Sequence, residues 1–296
     1  MKEAITSEQL SQLLKTSQRR KSKATVKKHD YLVRNAHFKL SAMGQKMVLY
    51  GFSLLPDLTP DFPLEKIEDR TVKFTFTDYC KALGNNPHEG KNLDDFQETL
   101  RGLLKTEVYL PDISKVNSFK AYNWFSSVGY DDELKLGYMV FTSELLSRLI
   151  EAKYFYTPLI LKEIGKLKGE YAIRQYEIAK SHETEMGKYG NKEGQWTATF
   201  ALSELRLLFG IEKQKYSRDR DFLKKAVINP ADEINEAWFN FKIDHELIKQ
   251  GKKILEVKLC YSQRTEKEIS LHKCQQLLLD YEKKIKKAGE RAAANA

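Results

Sequence analysis

The chain has 296 residues, 41% of them hydrophobic and 31% charged, a composition typical of a globular protein long enough for two cores. No run of 18 apolar residues and no basic-then-apolar leader occurs, so we predict neither a membrane span nor a secretory signal. Three widely spaced cysteines without a CxxC pair favour a reducing cytoplasm over a disulfide framework or a zinc site. The formal charge of +9 favours a polyanionic partner.

The positive charge is concentrated near the two ends of the chain. KTSQRRKSKATVKK, residues 15–28, carries seven cations and no acid. Because the Ser and Thr residues between them offer little to bury, we predict a flexible basic arm over residues 1–28. YEKKIKKAGER, residues 281–291, carries five cations and two acids, and belongs to a predicted basic helical tail over residues 265–296. Either run could instead be a solubility tail.

An internal repeat lies between these basic runs. TDYCKALG, residues 77–84, and SELRLLFG, residues 203–210, share a pattern at an offset of 126 residues. Each opens with a hydroxyl residue, Thr77 or Ser203, that is a candidate N-cap, and each closes with a glycine that can end a helix. The same offset relates three further pairs: Tyr50 with Tyr176, Asp95 with Asp221, and Phe96 with Phe222.

The two halves have the same predicted order of elements: a helix, a short strand, a short helix, a turn, a longer helix and two strands. In the second half Phe239, Phe241 and Ile243 alternate with polar residues, as a half-buried strand requires. ELIKQGKK, residues 246–253, is predicted as the loop that joins the two strands. This order is that of a winged helix. We therefore predict an α+β fold of tandem duplicated winged-helix domains, predominantly helical, rather than a generic α+β repeat.

The second long helix, KYSRDRDFLKKAVINPADEINEAW, has an apolar stripe under a set of cations. The stripe consists of Leu223, Val227, Ala231 and Ile234. Pro230 lies inside this period and should kink or end the helix near Asn229. The candidate contacts to a polyanion on or just before this helix are Lys215, Ser217, Arg218, Arg220, Lys224 and Lys225.

The equivalent helix of the first half is acidic. Arg218 corresponds to Asn92, Arg220 to Asp94, Lys224 to Glu98 and Lys225 to Thr99. The second wing has Lys249, Lys252 and Lys253, whereas the first wing has Asp131, Asp132 and Glu133. Since phosphates repel carboxylates and bind Arg and Lys, the second half is predicted to read DNA bases. Lys91 and Arg101 are the candidate DNA contacts of the first half, which could instead form a protein interface.

The sequence contains only incomplete versions of known active-site motifs. GNNPHEGK, residues 84–91, has one residue too many between its glycines for a phosphate loop, and Asn92 stands where Ser or Thr is needed. The six histidines form neither HxH nor HExxH, and HETE, residues 182–185, is interpreted as an exposed loop. We predict no catalytic residue, no metal and no cofactor.

The sequence between Val33 and Val257 resembles the initiator replication proteins of iteron-containing theta-replicating plasmids. RNAHFKLSAMGQKMVLYGFSLL is similar to the family's opening helix, and YFYTPLILKEIGKLKGEYAIRQYEIAK to its central segment. KYSRDRDFLKKAVINPADEIN is similar to its recognition helix, including the proline. This sequence departs from the family pattern in the long helix of its first half, which is acidic. That acidity argues against base contacts by the first domain.

The resemblance implies a first winged-helix domain over residues 29–152, for dimerisation and DNA backbone contacts, and a second over residues 153–264, for major-groove reading. It implies a plasmid replication initiator of the bacterial cytoplasm that binds directly repeated sites in double-stranded DNA and helps to open the origin. Monomers would bind the repeats, dimers would repress the initiator's own gene and so control plasmid copy number, and a host initiator and replicative helicase would be partners. The alternatives are a winged-helix transcriptional regulator without a replication role, a DNA-cleaving or joining enzyme, and a protein-interaction scaffold.

Overall fold

A computed structural model describes residues 12, 15, 19–87, 92–111, 118–151, 156–189, 194–212 and 214–294. The first half contains β1 (Thr25–His29), α1 (Asp30–Arg34), β2 (His37–Phe38), α2 (Ala42–Leu54), α3 (Ile67–Arg70), β3 (Thr71–Phe74), α4 (Phe76–Ala82), α5 (Asn92–Leu103), β4 (Glu107–Pro111), β5 (Phe119–Asn123), β6 (Phe125–Asp131), β7 (Leu136–Phe141), α6 (Ser143–Glu151), β8 (Tyr156–Ile160) and α7 (Leu161–Lys166). The second contains α8 (Glu170–Tyr189), β9 (Gln195–Ala201), α9 (Leu202–Leu208), α10 (Asp219–Phe222), a π-helical segment (Leu223–Ile228), α11 (Asn229–Glu236), β10 (Phe241–Gln250), β11 (Lys253–Gln263) and α12 (Glu266–Ala294). Among all the residues that the structure describes, no helix is long and apolar enough to cross a membrane.

Both halves contain a three-stranded antiparallel sheet with the same strand order. β7 lies between β3 and β6, and β11 lies between β9 and β10. Phe96 and Phe222, one from each long helix, are both fully buried. Gly84 and Gly210 follow the short helices at φ values of 75° and 63°, a left-handed conformation that favours glycine. The predicted α+β fold of tandem winged helices is confirmed.

The basic N-terminal run lies against the first half. β1, which includes Thr25–Lys28, pairs antiparallel with β8. Three cations before it reach acids of the first half: Arg19 contacts Asp78 at 3.0 Å, Arg20 contacts Asp69 at 3.3 Å and Lys23 contacts Asp57 at 2.8 Å. The prediction of a flexible arm over residues 1–28 is therefore wrong from residue 19 onward. Strand pairing orders its backbone, and carboxylates distant in sequence neutralise its charge.

The predicted helix caps are two residues too late in both halves. The N-cap of α4 is Thr75, whose hydroxyl accepts a hydrogen bond from the backbone N–H of Asp78 at 3.0 Å, and the Asp78 carboxylate accepts from the N–H of Thr75. The N-cap of α9 is Ala201, which has no side-chain acceptor. Thr77 and Ser203 lie inside the helices, because each helix begins where its preceding strand ends.

Two predicted loops belong to regular elements. Residues 182–185, HETE, lie within α8, where the His182 ring is half-buried 6.3 Å from the Phe200 ring. β10 extends to Gln250, so the predicted loop over residues 246–253 shrinks to Gly251 and Lys252, with Gly251 at a φ of 61°. Longer strands project the tip of the second hairpin farther from the core than a loop would.

The two halves pack closely against each other. Arg174 of α8 donates to the carbonyl oxygens of Val33 at 3.1 Å and Leu208 at 3.2 Å, which joins both halves. A Cβ added to Gly210 would lie 2.1 Å from the Phe38 carbonyl oxygen. The predicted domain boundary at residues 152 and 153 places β8 in the second domain, but its pairing with β1 places it with the first half.

Candidate nucleic-acid interface

The predicted second long helix is built from α10, the π-helical segment and α11, which follow one another without a break; we call residues Asp219–Glu236 the reading helix. Its buried side chains are Phe222, Leu223, Ala226, Val227, Pro230, Ala231 and Ile234. All four residues of the predicted apolar stripe are among them. This face packs on α8 and on the base of β10, and the opposite, polar face of the helix is therefore turned away from the core.

Pro230 is accommodated by a local change of helix type. Of the two outcomes predicted near Asn229, a kink or an end, the end does not occur, because the helix continues through Pro230 in the first turn of α11, directly after the π-helical segment. Gln175 of α8 is fully buried and donates its Nε2–H to the Val227 carbonyl oxygen at 2.9 Å. This bond satisfies a carbonyl where two hydrogen-bond ladders meet, and π-helical turns of this kind are frequent at functional sites.

The predicted contact residues on and just before the reading helix are exposed. This holds for Lys215, Ser217, Arg218, Arg220, Lys224 and Lys225. Within the described part of the chain, the side chains of Arg218, Arg220 and Lys224 make no hydrogen bond or ion pair, so their charges are uncompensated by a defined partner. Asp219 and Asp221 alternate with the two arginines and are also exposed. A carboxylate among arginines can accept from the N4 amino group of cytosine.

Lys215 differs from the other cations of this set. Its ammonium lies 3.3 Å from a Glu170 carboxylate oxygen and 2.8 Å from the Tyr171 hydroxyl. Burial, with the hydrogen bond to Glu170, raises the pKa of Tyr171, so this phenol stays protonated and neutral. Lys215 is therefore held against α8, and a phosphate would have to compete with Glu170 for it.

Arg206 of α9 supports the segment that leads into the reading helix. Its guanidinium donates to the carbonyl oxygens of Lys215 at 3.0 Å and Tyr216 at 2.6 Å, and it stacks 4.4 Å above the Phe222 ring. Tyr216 has a φ of 57°, an uncommon conformation for a residue other than glycine. Sequence reasoning missed Arg206 and Gln175, because their roles depend on residues that only folding brings together.

The second wing, β10 and β11 with their turn, carries the other predicted cations. Lys249, Lys252 and Lys253 are all exposed at its tip. Burial is confined to the base of the hairpin, where Phe241, Ile243 and Val257 lie in the core. The pairing shifts by one residue between Ile248 and Lys249, a bulge that increases local twist. Three ammonium groups therefore extend from the same domain as the reading helix.

The equivalent surface of the first half is acidic. On α5, Asp94, Asp95 and Glu98 are exposed. Arg101 is exposed as well, but it lines a groove between α5 and β6 together with Asp132 of the first wing. Asp132 forms an ion pair with Lys135 at 2.8 Å. Lys91, the other predicted contact of the first half, lies outside the described residues.

The chemistry of the basic surface is that of anion and base-edge recognition. Guanidinium groups can bind phosphate oxygens, or the O6 and N7 atoms of guanine through two parallel hydrogen bonds. Among the described residues, no group of three or more His, Cys, Asp or Glu side chains could hold a metal ion. The arrangement combines a helix of major-groove width with a basic hairpin beside it.

Two family models match the chain. The model described as Initiator Replication protein, WH1, matches residues 25–180, and the one described as Initiator Rep protein, WH2, matches residues 201–259. None of the curated proteins compared with the chain matches it. The crystal structure of Pi initiator protein in complex with iteron DNA is similar, with a TM-score of 0.58 and 15% identity over 83% of this chain and 99% of that one. Domains 2 and 3 of RctB align with a TM-score of 0.40 and 12% identity over 84% and 95% of the two chains.

Proposed function

Because the chain belongs to the initiator replication protein family, we propose that it initiates plasmid replication by binding iterons, the directly repeated sites of an origin, in double-stranded DNA. The matched regions fall on the two winged-helix halves. A family of replication initiators favours this function over that of a transcriptional regulator without a replication role. We propose that the protein acts by binding alone, in the bacterial cytoplasm, on plasmid DNA.

One observation supports the base-reading role of the second half above all others. Arg220 and Lys224 project from a helix whose opposite face is buried, Arg218 is the N-cap residue of that helix, and the lysines of the second wing lie in the same domain. A helix inserted in the major groove passes between two phosphate backbones, so the wing can follow one of them. The fold shared with Pi initiator protein, whose structure contains iteron DNA, is consistent with this arrangement.

The first half has a different proposed role. Its acidic long helix disfavours insertion into a groove, so its DNA contacts would be to the backbone, through Lys91 and Arg101. Dimerisation is the second role that we propose for it. Monomers would bind the repeats and help to open the origin, whereas dimers would repress the initiator's own gene. A host initiator and the replicative helicase are the proposed protein partners.

Binding to DNA that flanks the protein's own gene tests the proposal, with a scrambled duplex of equal composition as the control. We expect stepwise complexes that match direct repeats, with affinity that falls steeply as salt rises. Arg218→Ala should weaken binding to the repeats by about 1–3 kcal/mol and relax base preference. Arg218→Lys is the matched variant, because it keeps the charge and loses the bidentate geometry.

The two variants separate base reading from general attraction. Arg218→Lys should bind the scrambled duplex as the unaltered protein does, while losing much of its preference for the repeats. Equal losses on both duplexes would contradict base reading by the reading helix. A single complex on an inverted repeat, without binding to direct repeats, would instead favour a repressor.

A further inference from the structure

The last helix, α12, extends well beyond the two winged-helix domains. It has 29 residues, a length of about 43 Å at the usual helical rise. The family match ends at residue 259, seven residues before the start of α12 at Glu266. Its contacts with the second domain lie near its start, where Lys242 pairs with Glu268 at 2.5 Å and the His272 ring stacks 3.9 Å from that of Trp238.

An apolar row with alternating three- and four-residue spacing follows this anchor. Its members, which we call the α12 seam, are Leu271, Cys274, Leu278, Tyr281, Ile285, Ala288 and Ala292. Leu271, Leu278, Tyr281 and Ile285 are 60%, 63%, 64% and 55% exposed, and Cys274 is exposed as well. A mean spacing of 3.5 residues, sustained over three heptads, is typical of a coiled coil.

The anchor leaves the seam uncovered. His272 follows Leu271 by one residue, which rotates its side chain by about 100° around the helix axis. The face that stacks on Trp238 is therefore well removed from the seam. The Arg264 guanidinium lies 4.1 Å from the centre of the Trp238 ring. It also donates a hydrogen bond to the Phe239 carbonyl oxygen at 3.1 Å. The helix thus has a fixed start, and the five seam residues whose side chains the structure describes, Leu271 to Ile285, are all exposed.

The charge along α12 indicates how a second helix would lie on it. From residue 266 to 279 the charges balance, with Glu266 and Glu268 against Lys267 and Lys273. From residue 280 onward there are five cations and three acids. A parallel pair would place the two basic C-terminal halves side by side. An antiparallel pair places the basic half of each copy beside the charge-balanced N-terminal half of the other, which begins with two glutamates. Antiparallel helix dipoles are also favourable.

The spacing of the seam fits an antiparallel pair. In one register Leu278 of each copy faces Tyr281 of the other, Cys274 faces Ile285, and Leu271 faces Ala288. Two large residues thus face each other at the centre of the pair, and toward each end a large residue faces a small one. Leu277, 70% exposed, lies beside the seam and would extend the apolar contact with the second copy. Leu279, 46% exposed, lies on the other side of the helix from Leu277 and outside the seam.

We propose that α12 pairs with α12 of a second copy of this chain as an antiparallel two-stranded coiled coil. This surface is separate from the dimer contact proposed for the first domain. Two copies joined in this way would present two reading helices, so the pair could hold two DNA sites at once. The proposal does not depend on the proposed function, because it concerns self-association without DNA.

Sedimentation of the full chain over a range of concentrations tests the contact. Leu278→Lys places a charge in the centre of the seam and should raise the dissociation constant of the pair at least tenfold. Leu279→Lys is the matched control on the same helix and should leave the constant unchanged. Equal constants for the two variants, or a monomer at all concentrations, would overturn the proposal.

Disulfide formation tests the direction of the helices. In the antiparallel register Cys274 faces position 285, so Ile285→Cys should give a covalent dimer when diamide oxidises the two thiols to a disulfide. The unaltered chain should remain uncrosslinked at Cys274, and Ile285→Cys combined with Cys274→Ala should too. A disulfide between two copies of Cys274 in the unaltered chain would show a parallel pair and overturn the antiparallel assignment.

Discussion

The ammonium of Lys28 lies 2.6 Å from a carboxylate oxygen of Glu177, and both side chains are buried. Arg174 contacts the other oxygen of the same carboxylate at 2.5 Å. These three residues join the basic N-terminal run to α8, the helix that opens the second half. Burial alone would raise the pKa of Glu177, but Lys28 and Arg174 together lower it, so the carboxylate is charged in the folded protein.

Glu177→Gln should destabilise the protein strongly. The substitution leaves Lys28 and Arg174 buried without a counter-charge, and loss of one partner of a buried pair costs about 3–5 kcal/mol. Urea unfolding followed by circular dichroism measures the change. Glu212→Gln, which breaks the exposed pair of Glu212 with Lys39, is the control and should have little effect. Similar midpoints for the two variants would contradict a structural role for the buried cluster.

His29 should make the fold sensitive to mild acid. Burial lowers its pKa from 6.5 to about 4, so between these values the unfolded chain binds a proton that the folded chain does not. The free energy of unfolding should therefore fall as the pH drops through this window, by roughly 3 kcal/mol for this residue.

His29→Asn isolates this effect of pH. The Nδ1 atom of His29 accepts from the N–H of Tyr31 at 3.2 Å, and Asn can accept at the same helix start without titrating. The stability of the variant, measured by urea unfolding from pH 7 to pH 4, should decline less than that of the unaltered chain. Parallel curves would assign the acid sensitivity to other groups.

Gly84 and Gly210 are equivalent in the two halves but should tolerate alanine differently. At Gly84 the nearest atom to an added Cβ is 3.7 Å away, so Gly84→Ala should cost only the left-handed conformation, about 1–2 kcal/mol. At Gly210 the same Cβ would be 2.1 Å from the Phe38 carbonyl oxygen. Gly210→Ala should therefore displace the first half and lower the melting temperature much further. Equal shifts for the two variants would contradict close packing there.

Lys252 should contribute to DNA affinity without choosing a sequence. It lies at the tip of the second wing, where an ammonium can bind phosphate. Lys252→Ala should weaken binding to repeat and scrambled duplexes alike and reduce the slope of log affinity against log salt by about one. Lys135→Ala, in the turn of the first wing, is the control and should leave the slope unchanged. A loss confined to the repeat duplex would mean that Lys252 reads bases.

Much of the candidate site could be predicted because its signals are local. The stripe of Leu223, Val227, Ala231 and Ile234 is a periodicity within one helix, and all four residues are buried. The helix caps were misplaced because a hydroxyl at Thr77 or Ser203 does not show where the preceding strand ends. The π-helical segment before Pro230 could not be predicted, because Gln175, the donor to Val227, comes from another helix.

By itself, the sequence determined the duplicated order of elements apart from β4 and β5 of the first half, the buried face of the reading helix and the difference in charge between the halves. These properties depend on residues a few positions apart, or on two segments compared at a constant offset. Only the tertiary structure decided which cations are neutralised. Lys28 and Glu177 are 149 residues apart, and Lys215 and Glu170 are 45 apart, so no local pattern records either pair. Desolvation and ion pairing act between groups that meet in space, and folding alone brings them together.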